Sequence, residues 1–288
     1  MTTPAELDRA LLKDFPLPKQ PDGDKNERGR LLVVAGQRSL PGAAQLCATA
    51  AMRAGAGSLK IATVESIATQ VGIAVPESRT VGLPEGDDGG FAEAAVSMIA
   101  ELADDVDAVI AGPGMLESAT CEDLAEALLQ TDAAVALDAG ILRALPSADA
   151  SKPAEPAPIL LPHAGEMAAL LGCDKEVVQA DPVGCGLKCA ERYGAVTLVK
   201  GSISHIVHPD GRVWVYRGGA PGLGVSGSGD ALAGIVGGLL ARAKDPLTSL
   251  LWAVLLHGEA GEQLSRKIGP VGFLAREIPD EIPALLSL

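Results

Sequence analysis

Short, unbroken apolar runs alternate along this chain with longer stretches in which apolar residues recur three and four positions apart. The runs at 31–35, 58–64, 107–111, 133–137, 159–161 and 196–200 carry few polar residues on either alternate. A half-exposed strand would show strict alternation, so these read as strands buried on both faces. A further strand is predicted at 79–83. The intervening segments have the helical period: one opening at Pro41-Gly42 and ending near Gly55, then others starting near Ser66, at 91–104, 118–130, 163–171 and 175–193, the last interrupted at Pro182. After residue 200 the period changes. His205–His208, the turn Pro209-Asp210-Gly211 and a second alternating run at 212–216 predict an antiparallel hairpin. The rest reads as helix: 229–242, 246–267, a short one near Val271 and another from Ile278. Residues 1–29 are expected to form an N-terminal helix and a loop, and 147–158 a polar, Pro-rich surface loop.

Alternating buried strands and helices imply an α/β fold, a mostly parallel sheet with helices on both faces and the hairpin as its antiparallel edge. Glycines follow several strands directly (Gly36, Gly112, Gly201, and Gly140 just after Asp138). Ligands of open α/β sheets lie beyond the carboxyl ends of the strands, so these glycines are expected to line one cleft.

Composition narrows the chemistry. The chain has 288 residues, 48% of them hydrophobic but only 2% aromatic, so its core must be filled by Ala, Val, Leu and Ile. No apolar run reaches the roughly 18 residues of a membrane span, and the first residues lack the basic start and apolar centre of a secretory leader. A net charge of −14 argues against generic nucleic-acid binding, which needs a basic face, but not against phosphate held by backbone donors. The five cysteines include no C-x-x-C pair and read as small buried apolar residues of a reducing compartment. The four histidines share no zinc-ligand spacing with them.

The stretch that carries most chemistry is P-G-L-G-V-S-G-S-G-D-A-L-A-G-I-V-G-G-L, from Pro221 to Leu239. A glycine-rich loop enters a helix, and Asp230 stands at the junction. Unpaired N–H groups of such a junction seat phosphate, and a carboxylate beside them could orient or deprotonate a nucleophile. Equally, an Asp there could be a plain helix cap. The helix start is expected to lower the Asp230 pKa. The small residues Ala231, Ala233, Gly234, Gly237 and Gly238 are expected to let the helix pack closely on the sheet.

Four weaker elements join it. In L-P-H-A-G-E-M, His163 could donate to a ligand and Glu166 could reach a metal or water, or simply cap the helix. Lys200 with Gly201-Ser202 could meet a nucleotide phosphate, or be a solvated strand end. Gly112-Pro113-Gly114 and Pro41-Gly42-Ala43-Ala44 either let backbone approach a ligand or are ordinary turns. A strict phosphate-binding G-x-x-x-x-G-K-[ST] loop is absent, and Gly55-Ala56-Gly57 joins a helix to a strand, the wrong order for a dinucleotide fingerprint.

Read together with V-V-A-G-Q-R-S-L-P-G-A-A, A-M-R-A-G-A-G, G-P-G-M, L-D-A-G-I-L, L-V-K-G-S and L-H-G-E-A-G, in this order from about Lys25 to Leu285, the chain resembles the ADP/ATP-dependent NAD(P)H-hydrate dehydratases of the ribokinase-like superfamily. G-[ST]-G-D marks the superfamily; P-H-x-G-E-M with K-G-x-x narrows the likeness to the dehydratases. The resemblance implies a three-layer αβα ribokinase-like fold in a single domain over 1–288, with no fused epimerase domain and hence a separate epimerase as functional partner. It implies ADP-dependent dehydration of hydrated NADH or NADPH, giving AMP and phosphate. The hydroxyl at C6 of the damaged ring becomes a phosphate ester, the ring nitrogen expels it, and loss of the C5 proton restores the dihydropyridine.

By the same resemblance Asp230 accepts the C6 hydroxyl proton, and Gly227, Ser228 and Gly229 form an anion hole. Lys200, Gly201, Ser202, Ile203 and Ser204, with Gly229, hold the adenine nucleotide, while Ala43, Gly114, His163 and Asp230 contact the hydrated cofactor. Magnesium accompanies the nucleotide without a dedicated ligand set, and the enzyme is expected to be a cytoplasmic tetramer. The sequence departs from the family habit in three places: Ala164 stands where Pro is commoner, Ser228 replaces Thr, and the loop before it lacks the usual Asn and Met. Two other readings share the G-S-G-D loop: a kinase for a vitamin-precursor alcohol, which would accumulate a phosphorylated product, and a nucleotide-binding sensor without catalysis.

Overall fold

The computed structural model describes residues 4–19, 24–145 and 155–287. Its helices and strands alternate as the hydrophobic pattern predicts. In chain order they are β1 (Ala5–Glu6), β2 (Arg30–Val34), α1 (Pro41–Arg53), β3 (Ser58–Val64), α2 (Glu65–Ala74), β4 (Arg79–Leu83), α3 (Ala94–Ala103), β5 (Ala108–Ala111), α4 (Thr120–Leu129), β6 (Ala134–Leu137) and β7 (Ile159–Leu160). There follow α5 (Ala164–Leu171), α6 (Lys175–Ala180), α7 (Pro182–Tyr193), β8 (Val196–Val199), β9 (Ser204–Val207), β10 (Val213–Tyr216), α8 (Ser228–Ala243), α9 (Pro246–Lys267) and α10 (Ile278–Leu286).

The strands form one sheet in the order β1-β10-β9-β8-β7-β6-β5-β2-β3-β4. Every pairing from β8 to β4 is parallel, whereas β9 runs antiparallel to both β8 and β10. Helices α1, α2, α8, α9 and α10 pack together in one layer and α3 to α7 in the other, giving three layers. Beyond Arg30, β2 has almost no exposed side-chain surface, and neither do β5 and β6, as expected for parallel strands covered on both faces.

Two local expectations are corrected. Residues 1–29 hold no α-helix among those described. Instead β1 lies parallel to β10, followed by two short 3-10 turns at Leu11–Asp14 and Lys25–Arg28. The antiparallel hairpin stands at one edge of the sheet as expected, with the two-residue β1 paired outside it. The short helix expected near Val271 is a 3-10 turn at Ala275–Glu277 that leads into α10. Most of the predicted 147–158 loop lies outside the described residues.

The small residues of α8 serve two surfaces, not only the sheet. Gly237 faces Ile110 and Leu31 of the sheet, but Gly234 and Gly238 lie against the backbone of α1. A Cβ at Gly234 would fall 2.1 Å from the Cys47 carbonyl oxygen. The two helices thus meet at backbone distance, which sets α8's N-terminus against α1.

Candidate active site

Because β2 and β5 to β8 run parallel, their carboxyl ends share one edge. That edge collects Gly36, Gly114, Asp138, His163 and Lys200, each just past its strand. β2 has β3 on one side and β5 on the other, so chain direction across the sheet reverses there. The β2 and β5 end loops are tied across this switch by the Gly36 amide donating to the Pro113 carbonyl at 2.8 Å. Gly114 sits directly against Ala43 of α1: a Cβ on Gly114 would come within 2.5 Å of the Ala43 methyl. The two residues expected at the substrate side are therefore neighbours, at the position where open α/β sheets bind ligands.

The α8 N-terminus faces this edge. Gly227, its N-cap, has φ of 88°, a left-handed conformation natural to glycine. A Cβ there would also strike Leu46 Cδ1 at 2.6 Å. The Ser228 amide donates to the Val225 carbonyl at 3.2 Å and the Ala231 amide to Gly227 at 3.0 Å. Among the described residues, the amides of Gly227, Gly229 and Asp230 meet no protein acceptor. These are orphan donors of the kind that bind anions at helix starts.

Asp230 is half-buried beside them, and its pKa is raised to about 6 rather than lowered. Burial is the main cause and the nearby Asp138 charge the second; Lys200 pulls the other way without prevailing. The helix-start argument fails here because desolvation and a like charge outweigh the dipole. A carboxylate near pKa 6 is a stronger base than an ordinary aspartate and is still mostly ionised at neutral pH.

Asp138, at the end of β6, is the residue that the motif reading passed over as a site. It is buried, with its Oδ1 2.6 Å from Lys200 Nζ. Lys200 also lies 3.9 Å from Glu166 Oε2. Burial works against the lysine's charge, but the Asp138 and Glu166 carboxylates more than compensate and its pKa is raised. The lysine is thus not a freely solvated strand end: it is held between two carboxylates at the wall of the cleft, close to Gly229, whose Cβ would lie 4.0 Å from Nζ.

Glu166 and His163 form a reciprocal cap on α5. The His163 amide donates to Glu166 Oε2 at 2.8 Å, while the Gly165 and Glu166 amides donate to His163 Nδ1 at 3.0 and 3.1 Å. With Nδ1 accepting, the neutral ring carries its proton on Nε2. His163 is exposed, its ring held in place by the cap with Nε2 3.4 Å from Glu166 Oε1.

Beside this edge opens a cleft of about 700 Å³. Lys200, Gly201, Ser202, Ser204, Ser228 and Gly229 line it together with the more apolar Tyr216, Pro221, Leu223, Leu232 and Val254. It is wide enough for a nucleotide, and its lining combines polar groups with apolar side chains. Ile203 is not among the lining residues; its side chain is exposed.

With this geometry in hand, comparison with known proteins is decisive. The model of a family described as NAD(P)H-hydrate dehydratase matches residues 31–284. The ADP-dependent (S)-NAD(P)H-hydrate dehydratase of Xanthomonas campestris is 46% identical over 279 residues, 96% of this chain and 94% of that protein. The chain belongs to the NAD(P)H-hydrate dehydratase family. The bifunctional NAD(P)H-hydrate repair enzyme Nnr of Moorella thermoacetica is 34% identical over 93% of this chain, which spans about half (51%) of that longer protein. Among solved structures, the Bacillus subtilis ADP/ATP-dependent NAD(P)H-hydrate dehydratase, co-crystallised with ATP/Mg2+, superposes with a TM-score of 0.84 at 27% identity, covering 100% of this chain and 99% of that one. Family and ribokinase-like three-layer fold agree with the resemblance carried by the motifs.

Proposed function

We propose that this dehydratase acts on the S epimer of hydrated NADH or NADPH, with ADP as phosphoryl donor, and releases NADH or NADPH, AMP and phosphate. The observation that carries the reading is the Asp230 carboxylate standing beside the orphan amides of Gly227 and Gly229, on the helix start whose Ser228 and Gly229 line a nucleotide-sized cleft. In this arrangement the nucleotide lies along Lys200 to Ser204 with its terminal phosphate toward the α8 start. The hydrated ring enters from the Ala43–Gly114 side, within reach of the His163 N–H.

The chemistry follows from the groups present. Asp230 accepts the proton of the C6 hydroxyl as its oxygen attacks the phosphoryl group. The Gly227 and Gly229 amides stabilise charge on the group in transit. The ring nitrogen then expels the new phosphate ester from C6, and loss of the C5 proton completes the dehydration. The R epimer requires an epimerase active site distinct from this cleft. Among the described residues no three His, Cys, Asp or Glu side chains converge as a metal cage, and Asp138 and Glu166 are already engaged with Lys200. A magnesium ion would arrive on the nucleotide's phosphates.

The test is to mix the protein with hydrated NADH, magnesium and either ADP or ATP. Recovery of the NADH absorbance band, faster with ADP, is expected. A stable phosphorylated product without NADH would favour the small-alcohol kinase, and no turnover with either nucleotide would leave only a nucleotide-binding role.

A further inference from the structure

His257, on α9, lines the cleft and has no part in the chemistry described so far. Its Nε2 lies 3.0 Å from Ser228 Oγ and 3.1 Å from the Ser228 carbonyl oxygen. A carbonyl can only accept, so the ring proton sits on Nε2. Nε2 therefore cannot accept the hydroxyl hydrogen of Ser228. Among the described residues Oγ has no other protein partner, and Ser228 lines the same cleft. The hydroxyl hydrogen is left without a protein acceptor and available to a ligand in the cleft. The Ser228 amide, meanwhile, is already occupied by the Val225 carbonyl.

Resting on the dehydratase reading, we propose that His257 is a positioning residue: its Nε2–H fixes Ser228 so that the hydroxyl, rather than the amide, supplies the third donor to the transferring phosphoryl group. This accounts for a hydroxyl residue between the two glycines of G-S-G-D, where backbone amides alone could be provided by any residue. It also accounts for a histidine in contact with the loop. Burial pushes the His257 pKa down to about 4, so the ring keeps its single-proton form through the neutral range and donates steadily.

Two measurements test this. The first needs no variant: nitrogen NMR of histidine-labelled protein reads the tautomer of His257. The Nε2–H form, unchanged from pH 8 to 5.5, is expected; an Nδ1–H form overturns the proposal whether or not the protein turns over hydrated NADH. The second uses steady-state kinetics with hydrated NADH and ADP. Ser228→Ala and His257→Phe should each lower kcat about tenfold to a hundredfold with the ADP KM little changed. The double variant should be no worse than either, since both remove one donor. His257→Gln, whose amide can still donate to the Ser228 carbonyl, should recover to within about threefold of wild type. A Ser228→Ala enzyme with wild-type kcat, or losses that multiply in the double variant, would sink the proposal. A wild-type protein inactive on hydrated NADH would instead remove the dehydratase reading, leaving the tautomer measurement to judge the His257 geometry.

Discussion

Two aspartates of this chain, in different surroundings, have opposite pKa shifts, and the contrast explains much of the site. Asp230 is pushed up to about 6 by burial and by Asp138. Because its folded pKa exceeds the unfolded value of 3.8, the folded state binds the extra proton between those limits, and stability falls as pH rises through that window. The ionised carboxylate then costs the fold about 2–3 kcal/mol at neutral pH. Asp230→Asn should therefore lose at least about a hundredfold in kcat yet melt higher than wild type at pH 8. That gain should shrink as pH falls below 6 and be gone near 4. Near-normal turnover would reduce Asp230 to a helix cap. His163 tests separately: His163→Asn keeps a good N-cap but loses the ring N–H. Its melting temperature should hold while the KM for hydrated NADH rises about fivefold to tenfold at little-changed kcat. At this scale the sequence showed Asp230, His163 and Lys200, because each sits in a motif. Asp138 was hidden: an Asp after a strand is common, and its meeting with Lys200 depends on β6, β7 and β8 being neighbours.

Helix α8 is the element on which the site hangs. Its position is set by backbone contact with α1 through Gly234 and Gly238, and its orphan amides are exposed by the left-handed turn at Gly227. Gly227→Ala combines a positive φ with a clash against Leu46. It should cost about 1–2 kcal/mol in thermal unfolding and lower kcat by more than that stability loss explains, because the turn aims the amides. Equal effects on both would make Gly227 a structural turn only. The glycine pattern made this helix start legible, since G-S-G-D needs no distant partner to be recognised. Two elements were not legible for the converse reason. The two residues of β1 carry no local strand signal and are ordered by β10, some two hundred positions away in sequence. The apolar Val271 looks helical locally, but the chain turns there at Gly269 and Gly272, both at positive φ.

Across the whole molecule the two edges of the sheet do different work. At the amino edge Asp107 accepts hydrogen bonds from the Arg30 amide and side chain and from Lys244. Burial opposes its charge, but these partners outweigh it and hold the pKa at about 2. Here the sign reverses: the pairing stabilises the fold above about pH 4 and is lost as pH falls through 2. Asp107→Asn should destabilise by about 1–2 kcal/mol at pH 7, after allowance for solvent screening, and leave kcat for hydrated NADH unchanged. A loss of activity at unchanged stability would contradict this division of the sheet. Alternating buried strands announced the parallel sheet and the edge on which ligands gather; which strand ends touch was decided by the strand order, which the pattern of runs does not encode. The central claim, that the α8 start is where the phosphoryl group moves, is tested most directly by a crystal structure of the protein with ADP. The terminal phosphate should lie within hydrogen-bonding distance of the Gly227 and Gly229 amides, with Asp230 facing the Ala43–Gly114 side. A phosphate seated elsewhere in the cleft, or an Asp230 carboxylate turned away from it, would contradict the account.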